Sequence, residues 1–94
     1  MSDISLTDYR SKLITKIMFS YSQEEVVRYI DAAIKSFDQK KINGHIISRF
    51  VDKILVELDL FSPMNKDAQQ WSNIKMARIR FKQVKISLEA TLKA

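Results

Sequence analysis

The chain has 94 residues, 46% of them apolar and 29% charged, with a formal net charge of +5, the size and balance of one globular domain. It has no cysteine, which excludes a disulfide scaffold, a thiolate metal site and thiol catalysis. The charge is uneven: residues 66–94 carry seven basic and two acidic groups, whereas residues 1–65 carry nine of each.

With one Gly and one Pro in the chain, there is too little turn chemistry for a sheet protein. Turn signals occur only at Asn43-Gly44 and Ser62-Pro63, and the segments between follow a 3.6-residue apolar period. The expectation is an all-α fold: a four-helix bundle, up-down or orthogonal, forming a single helical domain over residues 1–94 and ending in a long C-terminal helix.

The first helix is expected to start at Ser5, with Asp8 three residues on as a capping partner. Leu6, Tyr9, Leu13, Ile17 and Tyr21 form its apolar face, flanked by Ile14 and Met18. A capping box at Ser22–Glu25 predicts a second helix after a tight corner near Ser20. Its core face is Val26, Val27, Ile30, Ala33, Ile34 and Phe37, and Lys40 and Lys41 suit its negative end. Asn43 and Gly44 both tolerate positive φ and are expected to make the next turn.

The third helix, from about His45 to Leu60, has the cleanest amphipathic pattern: Ile47, Phe50, Val51, Ile54, Leu55, Leu58 and Phe61 lie within a narrow arc. Ser62-Pro63 closes it and offers a start for the fourth helix, with Asn65 as the alternative. From Lys66 onward no breaker interrupts the pattern, so this helix is long enough to overhang its own bundle.

The fourth helix divides into three rows. Trp71, Ile74, Ala77, Phe81, Val84, Leu88 and Leu92 recur at three and four as a core face. Met76, Ile79, Ile86 and Ala90 fall on another side, and Lys75, Arg78, Lys82 and Lys85 form a basic row, with Arg80 apart. Three uses fit these rows. The basic row is a solvated face whose stems cover apolar surface, or it contacts phosphates, with salt-dependent and weakly sequence-specific binding. In the third, Met76, Ile79 and Ile86 meet a second copy or another protein, with Trp71 as an edge anchor. Phe19, Tyr29, Val56 and Leu60 lie off the main faces of their helices and are further candidates for such an interface.

Catalytic and cofactor chemistry finds little to use. His45 is the only histidine and reads as a helix-start residue. Glu24 and Glu25 are adjacent on a helix, so they point about 100° apart and oppose the helix dipole instead of forming an acid–base pair. Asp52, Glu57 and Asp59 read as surface charges on the third helix, with the fourth helix's basic row as a possible internal partner. No nucleophile elbow, phosphate loop, zinc motif or calcium loop is present.

The expected protein is therefore non-enzymatic, with no cofactor, no metal and no small-molecule substrate implied. It is read as a protein-interaction or self-assembly module, a homodimer or a subunit with a protein partner. A nucleic-acid-associated accessory role through Lys75, Arg78, Lys82 and Lys85 is the alternative. No segment has the apolar length of a membrane span, and the first residues lack a signal-peptide pattern. The expectation is a cytoplasmic protein without membrane attachment.

Overall fold

The computed structural model describes residues 6–93. Four helices dominate: α1 (Leu6–Met18), α2 (Gln23–Gln39), α3 (Gly44–Asp59) and α4 (Ala68–Lys93), with a 3₁₀ turn at Pro63–Asn65 before α4. There is no strand among the described residues. The architecture is the helical bundle that the spacing of apolar residues predicts.

Local chemistry sets each boundary. Ser5, the expected cap of α1, lies outside the described residues. At the start of α2 the Ser22 hydroxyl accepts the Glu25 N–H at 3.2 Å, and the Glu25 carboxylate accepts the Tyr21 N–H at 2.9 Å. One donor of the first turn and one just before the cap are satisfied this way.

At the other end of α2 the turn differs from expectation. The left-handed residue is Lys41 (φ 56°), not Asn43 or Gly44. Ile42 N–H reaches Phe37 O and Lys41 N–H reaches Asp38 O, both at 3.0 Å. These are the two bonds of a Schellman motif, and the partly buried Ile42 packs on the core beside it. Asn43 instead caps α3, its side-chain oxygen accepting the His45 N–H at 2.8 Å. Gly44 opens α3 and has no positive φ. Its missing side chain matters for space: a Cβ there would lie 3.0 Å from Leu92 Cδ2.

The start of α4 also moves. Ser62 caps only the 3₁₀ turn, accepting the Met64 N–H at 3.2 Å. The cap of α4 is Asp67, whose carboxylate accepts the Gln70 N–H at 2.7 Å while Gln70 Oε1 accepts the Asp67 N–H at 3.2 Å. This is a complete capping box, five residues beyond Ser62 and two beyond Asn65.

The core joins all four helices. Ile17, Ile30, Ile54, Ile74 and Phe81 are fully buried. Rings of Tyr9, Phe37 and Phe50 stack edge-on or tilted with centroids 5.0–6.0 Å apart, locking α1, α2 and α3 together. Three residues expected on the core faces are exposed instead, among them Leu6 at 37%. Tyr21 is 87% exposed, because α1 stops at Met18 and the corner turns before it. Leu92 is 38% exposed against Gly44.

α4 packs against each of the other three helices. Asp59 pairs with Arg78, Asp52 with Lys85, and Gly44 lies beside Leu92. Rising numbers on α3 meet falling numbers on α4, so the two are antiparallel. Gln23 bonds Ser72 and Asp31 bonds Arg80, which makes α2 and α4 parallel. The expected overhang does not occur alongside α3: α4 is matched against it to Leu92, and its 26 residues, about 39 Å long, equal the longest dimension of the molecule, 39 Å.

One buried polar residue was not anticipated. Asn73 of α4 is 0% exposed. Its amide nitrogen donates to Ser20 O at 2.8 Å and to Met18 O at 3.2 Å, and its oxygen accepts from Gln69 Nε2 at 2.8 Å. Asn73 thus satisfies carbonyls at the C-terminal end of α1 that no helical N–H can reach. Ser20 is buried in the same corner and donates its hydroxyl to Lys16 O at 2.7 Å.

Asn73→Ala should cost about 2–3 kcal/mol, because two buried carbonyls lose their donor. Asn73→Asp should cost more, since an acceptor-only carboxylate would face two carbonyl oxygens. Urea denaturation checks both, and a reversed order would refute the donor role. Lys41→Gly should stabilise by about 0.5–1 kcal/mol by relieving a left-handed lysine, read as a higher urea midpoint at unchanged slope.

Candidate functional site

The structure splits the basic row of α4 into two kinds of residue. Arg78 and Lys85 are paired across the seam with α3: Arg78 Nη2 lies 2.8 Å from Asp59, and Lys85 Nζ lies 2.7 Å from Asp52. Each pair of partners is seven residues apart on its own helix, so the bridges are two rungs of one antiparallel ladder. Arg80 turns to the opposite side and pairs with Asp31 of α2 at 2.7 Å, with Gln83 accepting a further bond. Glu57, the third acid considered on α3, pairs with Arg10 of α1.

Lys85 is held above the ordinary lysine value of 10.5, first by its hydrogen bond to Asp52 and then by the charge of that carboxylate. Glu89 adds to the shift, and desolvation opposes it.

Lys75 and Lys82 are exposed and have no ion-pair partner among the described residues. Between and beyond them, Ile79 is 52% and Ile86 68% exposed. Lys75, Ile79, Lys82 and Ile86 succeed one another at steps of four, three and four, so they form a single outward stripe of alternating charge and apolar bulk. The core stripe of Ile74, Ala77 and Phe81 is on the reverse side of the same helix.

α3 presents a similar face on the other side of the ladder. Val56 is 60% and Leu60 79% exposed. Lys53 and Arg49 are exposed one and two turns earlier, without ion-pair partners among the described residues. The two outward faces flank the Asp52–Lys85 and Asp59–Arg78 bridges. Each face interleaves large aliphatic side chains with cations that have no ion-pair partner among the described residues, and Arg49 and Lys53 also border a groove with Leu6 and Arg10 of α1.

The other candidate interface residues lie elsewhere. Trp71 and Met76 are partly buried and packed against the core, so the fold already uses much of their surface. Tyr29 is partly buried between α1 and α2, and Phe19, 64% exposed, projects from the α1–α2 corner. His45 is exposed at the first turn of α3, while Glu24 is exposed and Glu25 closes its capping box.

Sequence reasoning did not single out Arg49 and Lys53. The available signal was Arg49, Lys53, Val56 and Leu60 at steps of four, three and four, the same spacing as on α4. Among the described residues, no group of three or more His, Asp or Glu side chains is placed to hold a metal ion. No described helix is long and apolar enough to cross a membrane. No protein family, curated protein or solved structure matches this chain.

The Lys85–Asp52 pair makes stability depend on alkaline pH with a defined sign. Because the folded-state value of Lys85 is raised, its contribution is complete below pH 10.5 and is lost as pH rises through the raised value. The difference in denaturation midpoint between the wild type and Asp52→Asn should therefore be largest near pH 8–9 and shrink above pH 10.5. A difference that stays constant across this range would show that the pair contributes nothing.

Proposed function

We propose that this chain is a non-enzymatic protein-interaction module whose α3–α4 outer face docks a partner carrying apolar residues bordered by carboxylates. The carrying observation is the stripe Lys75-Ile79-Lys82-Ile86, whose isoleucines are 52% and 68% exposed while its lysines stay unpaired among the described residues. Val56 and Leu60 extend the apolar part, and Arg49 and Lys53 extend the basic part. The aliphatic side chains supply burial, and the cations set the sign of the partner.

Charge argues for a different partner over a second copy. A symmetric dimer through this face would set Arg49, Lys53, Lys75 and Lys82 against the same four cations, an arrangement that costs affinity. The seven-residue spacing of Ile79 and Ile86 suits a helix–helix seam, but the stripe position between them is Lys82 and the one before them is Lys75, which favours an acidic facing helix.

Nucleic acid is the weaker reading of the same face. Two of the four cations in the original basic row, Arg78 and Lys85, are neutralised by Asp59 and Asp52. The remaining cations are interrupted by large aliphatic side chains, which gain little against a phosphate backbone.

The test uses a synthetic amphipathic helix with a leucine face bordered by glutamates, titrated into the labelled protein and followed by NMR. Chemical-shift changes should concentrate at residues 49–60 and 75–86. A lysine-bordered version of the peptide should not bind, and Lys75→Glu with Lys82→Glu should reverse that preference. Ile79→Glu with Ile86→Glu should abolish binding at unchanged helicity. A duplex or single-stranded oligonucleotide binding this face in preference to the acidic peptide would replace the proposal with the nucleic-acid reading. Concentration-dependent dimerisation blocked by Ile79→Glu would replace it with self-assembly.

A further inference from the structure

A second surface, remote from the α3–α4 ladder, has the composition of a small-molecule site. α1 and α2 leave between them a groove of about 280 Å³ lined by Tyr9, Lys12, Leu13, Lys16, Tyr29 and the alanines 32 and 33. This volume is just below the range of about 300–1,000 Å³ usual for ligand sites. The floor is apolar, since Leu13 and Ala33 are buried at 4% and 3% exposure. The space exists because α2 has two consecutive alanines where α1 passes; a larger residue at either position would fill it.

The walls are aromatic. Tyr9 is fixed from behind by Phe37 and Phe50, with ring centroids at 5.3 and 6.0 Å, so it is a rigid surface. Tyr29 stands on the facing helix and carries Lys16 Nζ 5.6 Å from its ring centroid. The rim is basic: Lys12 and Lys16, one turn apart on α1, line the groove and have no ion-pair partner among the described residues. No acidic residue lines it.

We infer that the α1–α2 groove binds a small aromatic carboxylic acid, its ring between Tyr9 and Tyr29 over Leu13 and Ala33, its carboxylate at Lys12 and Lys16. The volume suits one ring system with a short acid arm. Two rings and an apolar floor account for the aromatic body. Two mobile ammonium groups one turn apart account for the single negative charge, which they reach by swinging their long stems. The proposal is for binding alone, since no serine, cysteine, histidine or carboxylate lines the groove. It shares no residue with the α3–α4 face, so either proposal can fail without the other.

The test is calorimetry and NMR on the full chain with phenylacetate and indole-3-acetate as probes. Benzyl alcohol serves as the uncharged control, benzylamine as the cationic control and inorganic phosphate as the charge-only control. The expected result is binding of the two acids, with shifts at Lys12, Lys16, Tyr29 and Ala32, and at least tenfold weaker binding of all three controls. Lys12→Gln with Lys16→Gln should weaken the acids about tenfold. Ala32→Leu, a change at an exposed helical position, should block the groove and abolish binding while the circular dichroism spectrum and urea midpoint are kept.

Equal binding of benzyl alcohol would overturn the role of the lysines, and equal binding of phosphate would overturn the role of the rings. Tighter binding of an acetylated tripeptide ending in Phe would overturn the free-acid assignment. Absence of shifts at millimolar phenylacetate would overturn the inference as a whole.

Discussion

The rotation of α4 about its own axis is the constraint on which the outer surface depends, and Asn73 fixes it. This helix touches the other three, and it carries apolar residues on more than one side, so hydrophobic burial alone leaves its rotation underdetermined. A buried amide removes the ambiguity. Asn73 is fully enclosed and meets Met18 and Ser20 carbonyls at the end of α1. Turning the helix by one residue, about 100°, would carry that amide away from its partners and leave both carbonyls without their donor. With Asn73 inward, Phe81 and Ile74 are buried, and Ile79 and Ile86 must face away. A polar residue used as a register key in this way is known from coiled coils.

The ion-pair ladder reinforces the same choice. Asp52 and Asp59 on α3 match Arg78 and Lys85 on α4 because both pairs are seven residues apart and the helices are antiparallel. Half-exposed bridges of this kind add little stability individually. Their effect here is on selection: they consume one edge of the basic row and leave the other edge, Lys75 and Lys82, without partners among the described residues. What reads in sequence as one row of four cations is therefore two structural pairs and two residues available to a partner.

The legible parts of the fold were those set by nearest neighbours along the chain. The 3.6-residue period located the four helices, the Ser22–Glu25 box located the start of α2, and the scarcity of Gly excluded a sheet. Errors arose where two local signals competed or where the deciding partner was distant. Ser62-Pro63 is a good helix start and does cap a short 3₁₀ turn, but the Asp67–Gln70 box a few residues later wins α4. Asn43-Gly44 is a good left-handed pair, yet the Schellman bonds of α2 fall due two residues earlier, at Lys41. Asn73 was invisible because its partners are more than fifty residues away in sequence. Met76 was assigned to the outer stripe from its angle, but contact with three helices widens the buried arc of α4 and takes it in. The α1–α2 groove was equally hidden, since it depends on what Ala32 and Ala33 face across the gap.

The exposed aliphatic residues also bound how tightly the α3–α4 face could hold the partner proposed for it. Val56, Leu60, Ile79 and Ile86 leave about two and a half side chains' worth of apolar surface in water. At about 1.5–3 kcal/mol for each fully buried aliphatic side chain, covering them contributes roughly 4–8 kcal/mol from this side. Loss of translational and rotational freedom alone costs an estimated 4–15 kcal/mol, so apolar burial on this scale leaves little surplus. In the proposed complex the four cations without ion-pair partners among the described residues therefore have to contribute, chiefly by speeding encounter with an acidic partner and excluding basic ones, an effect that salt screens. A face balanced in this way suits a contact that forms and breaks readily. A permanent subunit interface would be larger, more apolar and poorer in lysine.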